Sequence, residues 1–316
     1  MNVYQSAHQN AVWRDMSHFG RFAFSGADSA TLLHHLTTND IKKLQVGQGC
    51  ETVLINSKAR VLDLLSVWRR ADNFLVLTSP NRRANFAPHA QKFILYRQDV
   101  KIEDITDDSA LLGIFGPQTH RVLESLEIND FDFQTSAVQH FVIDNVQITV
   151  VRTSRLPLDG VLMWSDNRES LLHLLQQNDA PQCDNETYNL LRIEAGLPIA
   201  GLELTEEINP WEGALDNAIS LHKGCYNGQE IVARLNTYQK VKRSLRGVKL
   251  QRLVKDLPAK LTLEGRDAGT LTSCVASPQM GNIGLALVRG DYAQAGQVLQ
   301  IEDTSATVCD LPFIAN

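Results

Sequence analysis

The chain has 316 residues, 43% of them hydrophobic and 21% charged, and a formal net charge of −6. Such a composition suits two or three globular domains with a sizeable core and excludes disordered, collagen-like and low-complexity classes. The acidic balance also argues against general coating of nucleic acid by the whole surface.

Residues 1–16 show no charged start followed by an apolar block, so no secretory leader is expected and the cytoplasm is the default compartment. The apolar runs at 161–164 and 284–288 are strand-sized, far short of the ~20 residues of a membrane span. Cys50, Cys183, Cys225, Cys274 and Cys309 are odd in number and widely spaced, which is no disulfide framework. No two form a C-x-x-C pair, so a zinc ribbon or self-contained cluster site is disfavoured.

In chain order, residues 21–25 alternate as a strand, and Gly26-Ala27-Asp28 turns into a helix over 29–37 with Leu32, Leu33 and Leu36 on one face. Strands are predicted over 52–55, 61–68 and 74–78, the last two joined across Ala71-Asp72-Asn73. A helix follows over 81–95, then a strand over 111–115, and Gly116-Pro117 opens a helix running through Leu126. Asp144-Asn145, between 141–143 and 146–151, is a two-residue hairpin signal. A strand over 161–164 precedes helices over 168–177 and 185–195, the second ending at Gly196 with Pro198 beyond. From about Val248 only strands and turns remain, at 260–263, 270–275, 284–288 and 298–301, which reads as a small all-β domain. No repeat of 20–50 residues is visible.

Charge is uneven. Arg234, Lys240, Lys242, Arg243, Arg246, Lys249, Arg252, Lys255 and Lys260 face only Asp256 over 233–260. This stretch reads either as a solvated linker into the β-domain or as a positive rim that steers an anionic ligand toward a central cavity.

The most unusual segment is LHKGCYNGQEIVARL, residues 221–235. Cys225 directly follows Lys223 and Gly224, and Asn227 with Glu230 has capping-box spacing for a helix beginning near Gly228. A sulfur just before a helix N-terminus and close to an ammonium favours thiolate, the nucleophilic and metal-binding form. The alternative is a small buried cysteine in a strand-to-helix connection. In YNLLRIEAG, residues 188–196, Glu194 shares a helix face with Leu190 and Leu191. A half-buried carboxylate needs donors. It is either salt-bridged, or it is a two-oxygen acceptor for a planar heterocycle such as a pterin. A third group comprises Asn39 and Asp40 with Asn56, Lys58 and Asp63; Asp63, between Leu62 and Leu64 in a strand, is either paired or facing a cavity. The nine histidines show no ligand spacing, and no G-x-G-x-x-G, Walker or G-x-S-x-G motif is present.

Read in order, LTTNDI, LLRIEAG, GLELTEEINPWEGAL, KGCYNGQEIVARL, GTLTSCVASPQMGNIGLALV and the closing DLPF resemble the superfamily of the glycine-cleavage T-protein, a tetrahydrofolate-dependent aminomethyltransferase. Within it, K-G-C-Y-x-G-Q-E resembles the hallmark of the YgfZ branch, which is tied to iron–sulfur proteins. The resemblance runs from about residue 20 to 314. It implies an α+β chain in a three-domain cloverleaf around a central folate channel. Two interleaved domains would occupy residues 1–245 and a small β-barrel residues 246–316. It implies that Glu194 holds the pterin. Cys225 would be the functional cysteine, with Lys223, Gly224, Tyr226, Gly228, Gln229 and Glu230 as motif partners. Asp63 would match the acid near the reactive folate nitrogen. On the same footing Asn39, Asp40, Asn56, Lys223, Tyr226, Gln229 and Arg234 are candidate cofactor-binding residues. Cys225 and Asp63 are the candidate catalytic pair, and Cys225 is a candidate transient iron–sulfur ligand.

The chain also departs from the T-protein. Arg155-Leu156-Pro157-Leu158-Asp159-Gly160 replaces an acidic Y-x-G-E-x-G segment, the cysteine motif replaces an F-I-G-R-E sequence, and Leu64 replaces a second acid beside Asp63. These departures weigh against glycine-cleavage turnover while leaving the folate cavity in place.

Two functions follow as expectations. The first is a folate-binding accessory protein for maturation or repair of iron–sulfur enzymes and, through them, tRNA modification. Its partners would be iron–sulfur proteins or their assembly machinery, with no permanently bound metal and no membrane. The second is a true aminomethyltransferase taking its one-carbon unit from a lipoyl carrier. Direct RNA binding through 240–260 is the weakest reading, with only Tyr238 as a nearby aromatic.

Overall fold

The computed structural model describes residues 1–133, 138–176, 178–237 and 241–314. Gln177, Tyr238 and Lys240, which figured in the sequence reading, lie outside the described residues. The elements run α1 (Val3–Gln9), β1 (Val12–Asp15), β2 (Arg21–Ser25), α2 (Ser29–Leu36), β3 (Gly49–Ile55), β4 (Val61–Arg69) and β5 (Asn73–Leu77). They continue with α3 (Arg83–Gln91), β6 (Lys101–Asp104), β7 (Ala110–Phe115), α4 (Thr119–Ser125), β8 (Val138–Ile143), β9 (Val146–Arg152) and β10 (Gly160–Ser165). After α5 (Arg168–Gln176), α6 (Asn185–Glu194) and α7 (Gln229–Thr237) come β11 (Arg243–Leu250), β12 (Ala259–Leu263), β13 (Arg266–Ser277), β14 (Gly281–Arg289), β15 (Val298–Ile301) and β16 (Thr304–Cys309).

These form two five-stranded sheets, ordered β1-β7-β10-β9-β8 and β3-β4-β5-β2-β6, and a closed barrel, β11-β14-β13-β12-β15-β16. The fold is therefore mixed α and β with a C-terminal barrel. The chain starts in the first sheet with β1, builds the whole second sheet, and returns through β7, which pairs with β1 at Val12 and Phe115. Every ladder pairing is antiparallel.

Local chemistry explains the elements that position the site. Asp144 and Asn145 both adopt positive φ, 49° and 63°, which is the backbone a two-residue hairpin needs to match strand twist. Helix α6 starts where the Asp184 side chain accepts from the Thr187 amide at 2.7 Å, and it ends at Gly196, φ +71°. There the Leu197 amide reaches back to the Arg192 carbonyl at 2.8 Å, closing the turn. Helix α2 lays Leu32, Leu33 and Leu36 on Phe22, Phe24 and Val76 of the second sheet. Truncating Phe24 or Leu33 there would cost about 2–5 kcal/mol. In the barrel, Gly269 sits at φ +148° with the Leu287 carbonyl against it, so any side chain would collide.

Some boundaries differ from expectation. The helix expected over 81–95 is a single 3₁₀ turn, Pro80–Arg82, followed by α3, which stops at Gln91; a separate turn with Arg97 at φ 74° follows. The barrel opens at Arg243, ahead of Val248, and it contains β16 as well as the expected strands. The described residues contain no helix long and apolar enough to cross a membrane.

Candidate functional site

A cavity of about 550 Å³ opens between α6, β3 and the loops after β5 and β9. That is within the usual range for a small-molecule site. Glu51 reaches it from β3, Tyr188, Asn189 and Arg192 from α6, Arg155 from the loop after β9, and Arg14 from β1. A neighbouring cavity of about 600 Å³ shares Glu51, Ser154 and Leu197 with it and is lined also by Cys50 and Trp68.

Glu51 is the acid of this cavity. Its carboxylate accepts from Ser66 Oγ at 2.6 Å and from Thr153 Oγ1 at 2.8 Å. Burial pushes its carboxyl above the ordinary range, outweighing the nearby positive charge of Arg155 and both hydroxyl donors. Arg155 donates to the Leu77 carbonyl at 3.3 Å and to Ser79 Oγ at 3.1 Å, and lies 5.5 Å from the Phe19 ring centre. Arg14 stacks 4.4 Å from the Tyr188 ring centre, and its buried Nε has no partner among the described residues. An acceptor pair, two cations and aromatic faces together suit a planar, hydrogen-bonding, partly anionic ligand.

Glu194 lies elsewhere, and this corrects the expectation that it lines the hollow. It is only 2% exposed, deeper than the half-buried carboxylate the sequence suggests. Its carboxylate, however, is taken by Tyr4 Oη at 2.9 Å, Ser277 Oγ and His8 Nε2 at 3.2 Å. At 3.6 residues per turn, Glu194 and Arg192 project about 160° apart. Tyr188, Asn189 and Arg192 meet the cavity, while Glu194 faces α1 and the end of β13. Tyr4 responds: burial and the Glu194 hydrogen bond hold its phenol well above the ordinary tyrosine range.

Asp63 is buried, but it borders a separate cleft of about 440 Å³ that also contains Asn56 and His89. Its two oxygens accept from the amides of Leu64 and Ser79, each at 2.9 Å. Burial raises its carboxyl, opposed by Arg155 and those hydrogen bonds. It touches the central cavity only through Ser79 and Leu64, which line it. Asn56 accepts from the Lys58 and Arg60 amides and shapes the β3–β4 turn. Asn39 donates to the Glu51 carbonyl at 2.8 Å, and Asp40 pairs with Lys43 at 3.2 Å and lies 3.3 Å from His34 Nδ1, an imidazole that burial and Lys223 push down to about 4. Neither Asn39 nor Asp40 borders the cavity.

Cys225 is exposed, so the buried-connection alternative does not hold. The surroundings differ from expectation in two respects. The Lys223 ammonium is buried and donates to the carbonyls of His34 and Thr37, each at 2.6 Å, and of Asn39 at 2.7 Å. All three of its N–H groups serve the C-terminal end of α2, where carbonyls lack helical partners. It is an anchor for the cysteine loop and has no donor left for a cofactor. Burial pushes its amine down to about 7, against the pull of Asp40. In addition, α7 begins at Gln229, so Gly228 at φ +78°, and not Asn227, immediately precedes it. Tyr226 is buried with its ring centre 4.6 Å from the Lys223 ammonium. Gln229 and the exposed Arg234 lie on α7 and do not border the central cavity.

Glu51, Arg14, Arg155 and Tyr188 were not singled out as site residues from sequence. Glu51 had a usable signal: an acid at the head of the apolar run Val53-Leu54-Ile55. Arg155 and Arg14 had none, because their convergence depends on β1 and β9 sharing one sheet. Among the described residues no three His, Cys, Asp or Glu side chains gather to hold a metal ion.

Comparison with known proteins gives the family context. The GCVT N-terminal domain matches residues 4–223, and the glycine cleavage T-protein C-terminal barrel domain matches residues 243–314. The chain is 33% identical over 306 residues to a protein of Arabidopsis thaliana named as a candidate chloroplastic transferase, covering 95% of this chain and 71% of that one. It is 31% identical over 314 residues to an aminomethyltransferase of Rubrobacter xylanophilus, covering 95% and 82%. To that of Geobacillus thermodenitrificans it is 29% identical over 329 residues, covering 95% and 86%. The crystal structure of glycine cleavage system aminomethyltransferase T from Bartonella henselae superposes with a TM-score of 0.86 at 23% identity, over 98% of this chain and 88% of that one. The last likeness concerns the fold.

Proposed function

This chain belongs to the glycine cleavage T-protein family, and on that footing we propose that it is a folate-binding accessory protein of the YgfZ type. Its role is to support maturation or repair of iron–sulfur enzymes and, through them, tRNA modification. The observation that carries the reading is that one chain holds both the Glu51 cavity and an exposed Cys225, which does not line that cavity, on a loop pinned by a buried lysine. A T-protein's reaction needs only the cavity; a pinned, solvent-facing thiol is a feature of its own.

Tetrahydrofolate fits the residues present. The cavity volume suits it, and the Glu51 carboxylate can accept from adjacent N–H groups. When bound, a reduced folate supplies one-carbon chemistry at its ring nitrogens. The protein's own contribution is to bind and orient through Glu51, to stack through Tyr188 and Phe19, and to present Cys225 to a partner protein. A single cysteine cannot hold a cluster, so an iron–sulfur protein, a folate or a small thiol completes the site.

Tetrahydrofolate titration of the purified protein and of Glu51→Gln tests the cavity. Saturable binding that weakens at least tenfold in the variant, about 1.4 kcal/mol, supports it. Cys225→Ala tests the second half: support of iron–sulfur enzymes in cells is lost while folate binding persists.

The alternative, an aminomethyltransferase, is supported by the resemblance to proteins of that name. Against it stands Asp63, whose carboxylate is held by two backbone amides in a cleft apart from the cavity. Methylene-tetrahydrofolate formed from an aminomethyl-lipoyl donor would decide for it.

A further inference from the structure

A smaller cavity, of about 350 Å³, lies where the β3–β4 turn meets the barrel, and it shares no lining residue with the Glu51 cavity. Four cations line it: Arg60 from the turn, Lys242 and Arg243 from the entrance to β11, and Arg289 from the end of β14. Only two carboxylates, Glu212 and Asp267, stand among them.

The backbone forces these cations together. Arg243 and Arg289 are direct partners in the β11–β14 ladder, so their side chains leave the same face of the sheet side by side. Like charges opposed in this way are destabilising. Arg60 Nη1 and Arg243 Nη2 also donate to one oxygen, the Glu207 carbonyl, at 2.7 and 2.6 Å. Two guanidinium groups thus crowd a single neutral acceptor.

The acids leave part of this charge unmet. Asp267 is claimed by Arg289, whose Nε and Nη2 both donate to its Oδ2, and Lys260 lies within its electrostatic reach as well. Glu212 is buried and stands 3.6 Å from Arg243 Nε, while its other oxygen accepts from the Asn209 amide at 3.1 Å. The Arg60 guanidinium has only the Glu207 carbonyl. The exposed Lys242 ammonium has no hydrogen bond or ion pair among the described residues.

Arginine forks arriving from two directions, with an ammonium at the edge, suit a tetrahedral oxyanion better than a flat carboxylate. The two cations without a carboxylate, Arg60 and Lys242, balance the charge of about −2 on a terminal phosphate at neutral pH. We infer that this cavity binds the terminal phosphoryl group of a small phosphorylated ligand. The anion ties the β3–β4 turn to the barrel. Gly228 of the cysteine loop packs on the Asn56 carbonyl and Ala59 amide of that same turn, so the site braces the seat of the loop. The inference is independent of folate binding.

Calorimetric titration of the full chain with inorganic pyrophosphate at constant ionic strength tests this. Pyrophosphate should bind saturably with a Kd below about 1 mM and raise the unfolding temperature. Arg60→Gln should weaken it about tenfold, and Lys242→Gln about threefold. Lys249→Gln, at an exposed position on β11 outside the cavity, should leave it unchanged. Should Arg60→Gln unfold, Lys242→Gln carries the test, because that side chain is exposed and unbonded. Failure to saturate, or an equal loss in Lys242→Gln and Lys249→Gln, overturns the site. Malonate, a dianion with flat carboxylates, should compete poorly, and equal affinity for it overturns the preference for phosphate. An oligoribonucleotide without terminal phosphates that binds as tightly as pyrophosphate overturns the assignment to a small ligand.

Discussion

Tyr4 donates a 2.9 Å hydrogen bond to Glu194 across 190 residues of sequence, and Ser277 meets the same carboxylate oxygen from the barrel. One acid thereby ties α1, α6 and β13 into a single knot, with His8 on its other oxygen. Glu194→Ala should cost about 2–4 kcal/mol, because it strands two buried polar partners, Tyr4 and Ser277, and the half-buried His8. Tyr4→Phe should cost about 1 kcal/mol. Urea denaturation gives the stabilities, and tetrahydrofolate affinity in Glu194→Ala should stay within about threefold, since that is under 1 kcal/mol of direct contact. Unchanged stability with lost affinity would return Glu194 to the cavity.

Glu51 carries a pH signature. Its carboxyl is raised by burial, so between the ordinary glutamate range and its folded value the native state binds a proton that the unfolded chain has released. Stability therefore falls as pH rises through that window, and a constant cost remains above it. Glu51→Gln removes this cost. The variant should exceed the wild type in stability at pH 7–8, and the gap should close below about pH 4.5, the ordinary value. Denaturant midpoints across pH measure it. A variant less stable than the wild type at neutral pH would mean that Ser66 and Thr153 outweigh the burial.

Much of this fold is legible locally. Gly196 after α6 and Asp144-Asn145 between β8 and β9 are turn signals whose backbone requirement is written in the residue type. β1 and β6 are not, for physical reasons. β6, Lys101–Asp104, is a charged edge strand without apolar alternation, and β1 is four residues whose partner lies a whole sheet later in sequence. The same contrast holds at the site. Spacing correctly put Glu194 on the Leu190–Leu191 face, but only packing says which neighbour that face meets, and it meets Tyr4 rather than the cavity. The Cys225 motif was visible as chemistry, yet the use of Lys223 depended on where α2 ends.

The Arg192–Glu203 pair predicts how the barrel is held. Glu203 also accepts from Thr272 Oγ1 at 2.9 Å and Ser273 Oγ at 2.6 Å on β13, and from the Ile199 amide at 3.0 Å. Removing one partner of a buried pair typically costs about 3–5 kcal/mol. Glu203→Ala should therefore lower stability by that order, and the barrel should melt separately from the two sheets. Calorimetry showing one unsplit transition at the wild-type temperature would contradict this.

Lys223 should act as a cap. In Lys223→Met three buried carbonyls lose their donor, which should cost about 2–3 kcal/mol. Protection of the amides of Tyr226 and Asn227 against hydrogen exchange should drop with it, because their loop is pinned there; the Asn227 amide bonds to the His35 carbonyl at 2.9 Å. Folate affinity should survive, as the lysine does not border the cavity. Affinity lost with stability intact would make Lys223 a ligand contact.

The thiols should separate cleanly in a labelling experiment. Burial pushes the Cys50 and Cys183 thiols up to about 12, which leaves them almost wholly protonated at neutral pH. Cys225 is the exposed one of the five. Iodoacetamide on the native protein at pH 8 should therefore modify Cys225 first, with Cys50 and Cys183 labelled only after unfolding, as read by peptide mass spectrometry. Since the Cys225 side chain packs little, Cys225→Ala should change stability by no more than about 0.5 kcal/mol. That near-silent substitution matters for the proposed function. A variant that folds normally and binds tetrahydrofolate normally, yet no longer supports iron–sulfur enzymes, isolates the sulfur's chemistry from the fold. If the same variant retains full support, the thiol is dispensable and the cavity alone must account for the activity.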